Sequence, residues 1–473
     1  MVGRKPRSDG RPDPQKRNFL QKLSIDVIKN MKNLKLLIFS FLFPLWGLGG
    51  WASAQKVSLK ECVDVAIKNN LTYRESQILG ESANVELLRA KSLIYPRMGF
   101  GTGQDLRVGR SIDRFTNSFI EEVYTTNYFG LQANMTLFNG FQIKNQVRQN
   151  EFLRDAGAKN IEAVKNRTII GVLQAYLQVL ASQELLEVSK QQVETSKSQV
   201  ERINKQIAAG VVGQSEVFQV QSQLVNDEFS LVSAQNANKA ARLALFQLMN
   251  QSVNNALVFD SLNEEFLIYT VENQSVESIF EQAVNNFPEI KAGELRMKSF
   301  DSQLKATQAN VLPQINLSGN YGTFYSSSNK LENYFTQING TRSGSVSLDI
   351  SIPILGRLQN SPRISAVKIL QQLTQNQLNV TKLQIRQAIE QSYQLLSAAA
   401  DRYKVATNQV NILDQNIKAV ESRINAGTVN FIEYMLAKTN FDRAKSNLVQ
   451  AKYEFLLQNK ILDFYKNGEW KIE

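Results

Sequence analysis

The chain has 473 residues, a formal net charge of +11, no histidine and one cysteine, Cys62. Without histidine it lacks the commonest general base and transition-metal ligand, and one cysteine forms neither an intramolecular disulfide nor a multi-cysteine metal site. Residues 1–54 carry ten Lys and Arg against three Asp and Glu, whereas Gln55 onward has 44 basic and 40 acidic residues. Most of the charge therefore belongs to the leader, and it does not predict nucleic-acid binding.

The leader divides into two segments. Residues 1–30 are rich in charge and proline, and we interpret them as an unstructured extension or a misassigned start. From Met31 a short basic segment precedes the apolar run Leu36–Leu48 and the small-residue cleavage site Ala52-Ser53-Ala54. These features predict a secretory signal peptide over residues 31–54. The alternative is a transmembrane anchor, for which the apolar run is too short.

The mature chain repeats itself with an offset of 217 residues. Five residues around the turn near Gly210 recur around the turn near Gly427: Ile207, Ala209, Gly210, Val212 and Glu216 correspond to Ile424, Ala426, Gly427, Val429 and Glu433. We predict a first structural repeat over residues 55–273 and a second over residues 274–473. Two halves that each fail to bury their own apolar face are expected to form one body.

Each repeat is predicted to begin with helices and to continue with strands. Helical spacing covers about 57–95 and 276–312, and it stops at Pro96 and Pro313, which are also 217 residues apart. Alternating apolar residues then predict strands at about 97–107, 124–139, 313–325 and 342–355.

These strands have one apolar face and one face of small polar residues. That pattern is typical of a membrane β-barrel, and a half-buried sheet of a soluble protein is the alternative. Asp349 belongs to the polar face, which faces the lumen in a barrel. Gly140 and Gly356 follow the second strand of each repeat and are predicted to permit the bend into the next helix.

The number of strands separates the two alternatives. Two hairpins cannot close a barrel, and an open sheet edge is not tolerated in lipid because its backbone groups have no partners. Either the sheet is soluble or several chains combine their strands, and three copies would give twelve.

Two long helical arms follow the strands. The helical pattern runs over 141–250 in the first repeat and 360–466 in the second, and each contains a glycine turn. The segments Phe141–Ala208 and Pro362–Asn425 have 68 and 64 residues, so each arm is about 100 Å long at 1.5 Å per residue. Their apolar stripes are narrow and their polar faces broad, which fits the wall of a water-filled tube.

In this order of elements, and in the two tips, the sequence resembles the TolC-type outer-membrane efflux protein family. The resemblance covers Val57 to about Lys466. It implies a mostly α protein with membrane β structure, in which an internally duplicated protomer contributes two β-hairpins and two long helical hairpins. Three protomers then form a 12-stranded outer-membrane β-barrel continued by a 12-helix α-barrel across the periplasm.

The resemblance also implies roles for residues at the tips. Glu433 occupies the first of two positions at which the family places acidic residues around the periplasmic entrance. Leu436 stands at the second acidic position and Val429 at a basic position of some members, so the usual polar lock is not expected. Glu216 is the duplicate of Glu433 and either lines the tip groove or is solvated. From the residues alone, the favoured interpretation of Glu433 is an exposed first-turn carboxylate stabilised by the helix dipole.

The tip glycines have a structural interpretation of their own. Gly210 and Gly427 are predicted to adopt positive φ at the turns, with Val212 beside the first of them.

The predicted function is a passive, homotrimeric exit channel in the bacterial outer membrane, in contact with its lipid and gated at the periplasmic tips. The resemblance implies a periplasmic adaptor protein and an inner-membrane pump as partners. We find no phosphate-binding loop, nucleophile elbow or metal cluster in the sequence, and we predict no catalytic residue, metal or cofactor. The alternative from another class is a secreted structural or adhesive trimer with coiled-coil stalks.

Overall fold

The computed structural model describes residues 56–112, 117–210, 213–254, 256–260, 275–426, 428–468 and 470. The predicted extension and signal peptide, together with Val212 and Gly427, lie outside these ranges. The strands are β1 Lys56–Val57, β2 Arg97–Arg107, β3 Arg110–Ile112, β4 Phe119–Glu121, β5 Tyr124–Asn139, β6 Val258–Phe259, β7 Gln314–Ser326 and β8 Ser343–Ser351.

The helices form two series that follow the duplication. In the first repeat they are α1 Leu59–Asn69, α2 Leu71–Ser92, α3 Gln142–Ala208 and α4 Gln214–Leu248. In the second they are α5 Val276–Asn286, α6 Pro288–Gln308, α7 Tyr334–Gly340, α8 Gly356–Asn425 and α9 Phe431–Asn467.

The four long strands form one antiparallel sheet in the order β2-β5-β7-β8. The duplicated hairpins therefore join side by side through β5 and β7, with Leu131 opposite Tyr321 and Met135 opposite Leu317. The apolar face is uncovered, since Val346, Leu348 and Ile350 of β8 are 80%, 59% and 62% exposed. Among the described strands, β2 and β8 each pair on one side only. An apolar face open to its surroundings is typical of membrane β structure, whereas a soluble sheet buries that face.

The strict alternation predicted for β5 would place Phe129, Leu131, Ala133, Met135 and Leu137 on one apolar face, and it is wrong at Leu137. The pairing register between β5 and β7 shifts between Thr136 and Phe138, so that Phe138 and not Leu137 pairs with Ile315. A β-bulge inserts one residue and exchanges the faces of everything beyond it. Leu137 is consequently the extra residue, and Phe138 takes the apolar position.

The connections between the long strands contain secondary structure of their own. A short antiparallel pair, β3 with β4, lies between β2 and β5, and the helix α7 lies between β7 and β8. Thr341 ties α7 to the sheet by accepting a hydrogen bond from the backbone N–H of Phe324 at 3.0 Å. The last strand is also shorter than predicted, because β8 ends at Ser351.

The helices α3 and α8 are the longest elements, with 67 and 70 residues, or about 100 and 105 Å. Their antiparallel partners α4 and α9 have 35 and 37 residues, about half that length. Helix α8 starts before Pro362, where the long arm was predicted to begin, and carries this proline near its start. Proline has no backbone N–H, so the helix loses one hydrogen bond at this position. The loss falls within the first two turns of α8.

The core lies midway along the helical body, where both repeats meet. Leu173 and Leu177 of α3 pack against Leu456 of α9, and all three are buried. Cys62 of α1 is buried as well, in agreement with a packing role, and burial raises the pKa of its thiol to about 12. Because α3 contacts α9 as well as α4, the two helical hairpins form a single body.

Candidate functional site

The first tip is a tight turn between α3 and α4. Gly210 has a φ of +71°, and its backbone N–H donates to the carbonyl of Ile207 at 2.9 Å, which ends α3. A left-handed residue after a helix is readily supplied by glycine. On the other side of the turn, the Glu216 carboxylate accepts a hydrogen bond from the backbone N–H of Gly213 at 2.9 Å. Glu216 thus caps the start of α4.

The corresponding glutamate of the second tip has a different partner. Asn430 stands before α9 and accepts the Glu433 backbone N–H through its side chain at 3.0 Å. The Glu433 carboxylate instead forms an ion pair with Arg423 of α8, at 2.7 Å between Oε1 and Nη1. The residue before the second helix is Gly213 in the first tip and Asn430 in the second. Glycine has no side chain to cap the helix, so in the first tip the glutamate supplies the cap. The duplicated carboxylates therefore make different contacts.

The two departures from the family pattern lie in different environments. Val429 packs against a cluster of buried apolar residues, whereas Leu436 is 62% exposed. Ile432, one turn before Leu436, is exposed too. These side chains give α9 an apolar strip near the tip.

A buried apolar cluster, which we term the tip core, joins both hairpins just behind the turns. All four long helices contribute to it: Ile203 from α3, Val217 and Val220 from α4, Ile417 and Val420 from α8, and Phe431, Tyr434 and Ala437 from α9. The tip core holds the two hairpins of one chain together without a charged group.

A cluster of ionised residues lies next to the tip core, and we term it the charged node. Lys438 of α9 forms ion pairs with Asp227 of α4 at 3.3 Å and with Asp442 of α9 at 2.7 Å. Ser196 of α3 donates its hydroxyl to Asp227, and Gln223 of α4 donates to the same carboxylate at 2.8 Å. The side chains of Lys438 and Asp227 are less than a tenth exposed. Three helices from both repeats thus meet at the charged node.

Burial acts directly on the ionisation of this region. It raises the pKa of the Asp442 carboxyl, and the Lys438 ammonium opposes that effect. Burial, followed by the nearby carboxylate of Glu421, raises the pKa of Tyr434 to about 12. The neutral Tyr434 hydroxyl accepts a hydrogen bond from the Gln199 amide of α3 at 3.1 Å. The contacts between the hairpins are therefore both apolar and polar.

Sequence reasoning missed both the Arg423 ion pair and the charged node. The node left a signal, because Lys438 falls seven residues after Phe431 and four after Tyr434, on the stripe that α9 buries. Asp227 likewise falls seven residues after the buried Val220 of α4. An ionisable residue on a buried stripe requires a partner.

The remaining predicted residues lie in the sheet and at its junctions with the helices. Asp349 lies on the polar face opposite Asn316, and Ser318 donates to its carboxylate at 3.4 Å. Pro96 and Pro313 stand immediately before β2 and β7.

The two predicted bend glycines differ. Gly140 has a φ of +64°, and a Cβ there would lie 2.7 Å from Cβ of Leu312. Gly356 is the first residue of α8 and does not have a positive φ. The chain therefore enters α8 without the left-handed conformation that Gly140 adopts before α3.

The exposed apolar sheet and the much longer helical body define a class of protein, in which a membrane-embedded sheet is continued by long helices. A sequence model of the family described as outer membrane efflux protein matches residues 64–251 and 279–465, one match in each repeat. The chain belongs to the outer membrane efflux protein family. It is an outer-membrane channel protein that extends into the periplasm.

Individual proteins show the same likeness. The chain is 21% identical to protein CyaE of Bordetella pertussis over 396 residues, which covers 83% of this chain and 80% of that protein. It is 22% identical to outer membrane protein TolC of Escherichia coli, with 87% and 82% covered. The crystal structure of outer membrane protein VceC from Vibrio cholerae superposes with a TM-score of 0.73 at 14% identity, covering 87% of this chain and 97% of that one. The alternative of a secreted adhesive trimer is not favoured.

Proposed function

We propose that three copies of this chain form the passive exit channel of a tripartite efflux or type I secretion system. The single observation that carries this proposal is the four-stranded sheet with an exposed apolar face and two unpaired edges. A sheet edge in lipid needs a partner, so β8 of one copy pairs with β2 of the next. Three copies contribute twelve strands and close the ring, with Asp349 on the lumen side.

The gate of this channel lies at the helical tips. The tip core and the charged node fix the two hairpins of each chain to each other at the periplasmic end. Glu433 stands in the first turn of α9, half exposed and paired with Arg423. Three such carboxylates around a three-fold axis favour cations at the entrance. Transport of solute through the gate involves no catalytic step and no cofactor in the channel.

The periplasmic adaptor docks at the tips, and through it the channel meets the inner-membrane pump. The apolar strip of Ile432 and Leu436 on α9 and the exposed Phe218 of α4 support this proposal. Exposed apolar patches of this kind mark protein contact surfaces.

Cross-linking of the sheet edges tests the assembly. In a Cys62→Ala background, Leu348→Cys on β8 is combined with Phe100→Cys, and then with its neighbours, on β2. Oxidation of membranes should yield a covalent trimer for one of these pairs, because each copy bonds to the next. Leu131→Cys on β5 is the control, since this strand is paired on both sides and should not cross-link with Leu348→Cys.

A second measurement tests the channel itself. The detergent-extracted protein should have the mass of three chains and conduct ions in a planar bilayer. A soluble monomer without conductance, or edge cross-links that stop at the dimer, would contradict the proposal.

A further inference from the structure

A cleft lies at the junction of the sheet and the helical body, far along α3 from the tips. It has a volume of 440 Å³, within the usual range of about 300–1,000 Å³ for small-molecule sites. Its walls are formed by the end of β5, by the start of α3 and by Ile94, which follows α2 in the chain. Since β5 is paired on both sides within the chain, this cleft lies away from the edges at which further copies join.

The upper part of the cleft is apolar. It is lined by Ile94, Leu137, Phe138 and Phe141, of which Phe138 belongs to the lipid-facing side of the sheet. Phe141 has a φ of 66°, which is rare for a large side chain, and the residue is 59% exposed. The ring edge packs on Phe138 with 5.3 Å between centroids. A strained residue that presents an aromatic ring outward at the membrane boundary is suited to contact lipid.

The lower part of the cleft is charged. Lys144, Arg148 and Glu151 line it from successive turns of α3, and their spacing places them on one helix face. Within the described ranges none of the three has an ion-pair partner; Lys144 lies 5.7 Å from the ring of Phe141 and Arg148 lies 5.7 Å from that of Phe152. Two cations four residues apart repel each other, and the start of a helix also disfavours them. An external phosphate would relieve both effects.

The order of these groups along α3 specifies the ligand. Helix α3 begins where β5 ends, so the apolar wall, the cations and the carboxylate follow one another along the helix away from the sheet. Glu151 lies about 4.5 Å beyond Arg148 along the axis at 1.5 Å per residue. A phospholipid with an ammonium headgroup has the same order, with its acyl chain first, its phosphate next and its ammonium group last.

We propose that this cleft binds a phosphatidylethanolamine-type lipid of the periplasmic leaflet. Its acyl chain lies against Leu137 and Phe138, its phosphate lies between Lys144 and Arg148, and its ammonium group faces Glu151. The inference rests on the outer-membrane location of the chain and not on the gate or on the number of copies.

Thermal unfolding of the purified, delipidated channel in detergent tests the proposal. Phosphatidylethanolamine should raise the melting temperature in a saturable manner, and at lower concentration than phosphatidylglycerol or phosphatidylcholine. The double variant Lys144→Gln/Arg148→Gln removes two contacts and should need at least roughly tenfold more lipid for the half-maximal shift, since the loss of one contact of ordinary strength already accounts for about tenfold. The variant Glu151→Gln should lose only the preference for phosphatidylethanolamine over phosphatidylglycerol.

The control is Lys197→Gln, an exposed lysine farther along α3 that does not line the cleft. It should bind the lipid like the unmodified protein. The conductance of each variant shows separately whether the channel still assembles. Equal shifts with all three lipids, or a double variant that responds like the control, would overturn the proposal even if the channel function is unchanged.

Discussion

The ammonium group of Lys438 lies 3.3 Å from the carboxylate of Asp227, although the two residues are 211 positions apart and belong to different repeats. Both side chains are nearly inaccessible to water. Loss of one partner from such a pair leaves a buried charge unpaired, which costs about 3–5 kcal/mol. An exposed pair contributes about 0–1 kcal/mol.

The variant Lys438→Ala should therefore lower the stability of the helical body by about 3–5 kcal/mol, because it leaves Asp227 and Asp442 buried without their cation. Chemical unfolding followed by circular dichroism measures this change. Lys418→Ala serves as the matched control, since it removes an exposed i,i+4 partner of Asp414 on the neighbouring helix. It should change stability by less than about 1 kcal/mol. Equal effects of the two variants would contradict a structural role of the charged node.

The Asp442 carboxyl gives the charged node a predictable pH dependence. Its pKa in the folded chain is raised above the ordinary 3.8, mainly by burial. The folded chain therefore binds this proton more tightly than the unfolded chain, and the resulting stability is present below the ordinary pKa and is lost as pH rises through the raised value. Asp442→Asn resembles the protonated form at every pH. The variant should match the unmodified protein in acid and become relatively more stable toward neutral pH.

Melting temperatures of both proteins between about pH 3.5 and 7 check this sign, over the range in which carboxyl groups titrate. The matched control is Asp414→Asn, since Asp414 is more exposed than Asp442 and pairs with Lys418 at the surface. If the difference in melting temperature between Asp442→Asn and the unmodified protein does not change with pH, folding does not raise the pKa of Asp442.

Much of the fold was predictable from the sequence, because strand alternation and helix length are local properties. The offset of 217 residues located the same elements in both repeats. The bulge at Leu137 was not predictable, because it depends on how β5 pairs with β7. The ion pair of Glu433 with Arg423 depends on Asn430 taking over the helix cap, and the charged node depends on which faces of α4 and α9 meet. These are tertiary contacts that periodicity does not encode.

The two tip glutamates should behave differently when neutralised. Glu433→Gln removes an ion pair that is about half exposed, so the stability should change by less than about 1 kcal/mol. If three copies surround the entrance, the same change should lower the cation selectivity of the channel in planar bilayers. Glu216→Gln is the matched variant in the first tip, where the carboxylate caps α4. It should leave the selectivity nearly unchanged; equal loss in both variants would assign the effect to the tips in general.

Adjacent residues of β8 should distinguish the lipid face from the lumen face. Leu348 lies on the exposed apolar face and Ser347 on the polar face, one residue away in the same strand. An arginine on the lipid face of a barrel costs about 2–4 kcal/mol at the bilayer midplane, whereas a lumen position tolerates it. Leu348→Arg should therefore destabilise the folded barrel by about this amount, and Ser347→Arg should fold normally and alter the conductance. Urea titrations of the protein refolded into lipid vesicles measure the first effect, and planar bilayers the second. If Ser347→Arg is the more damaging change, the assignment of the two faces is reversed.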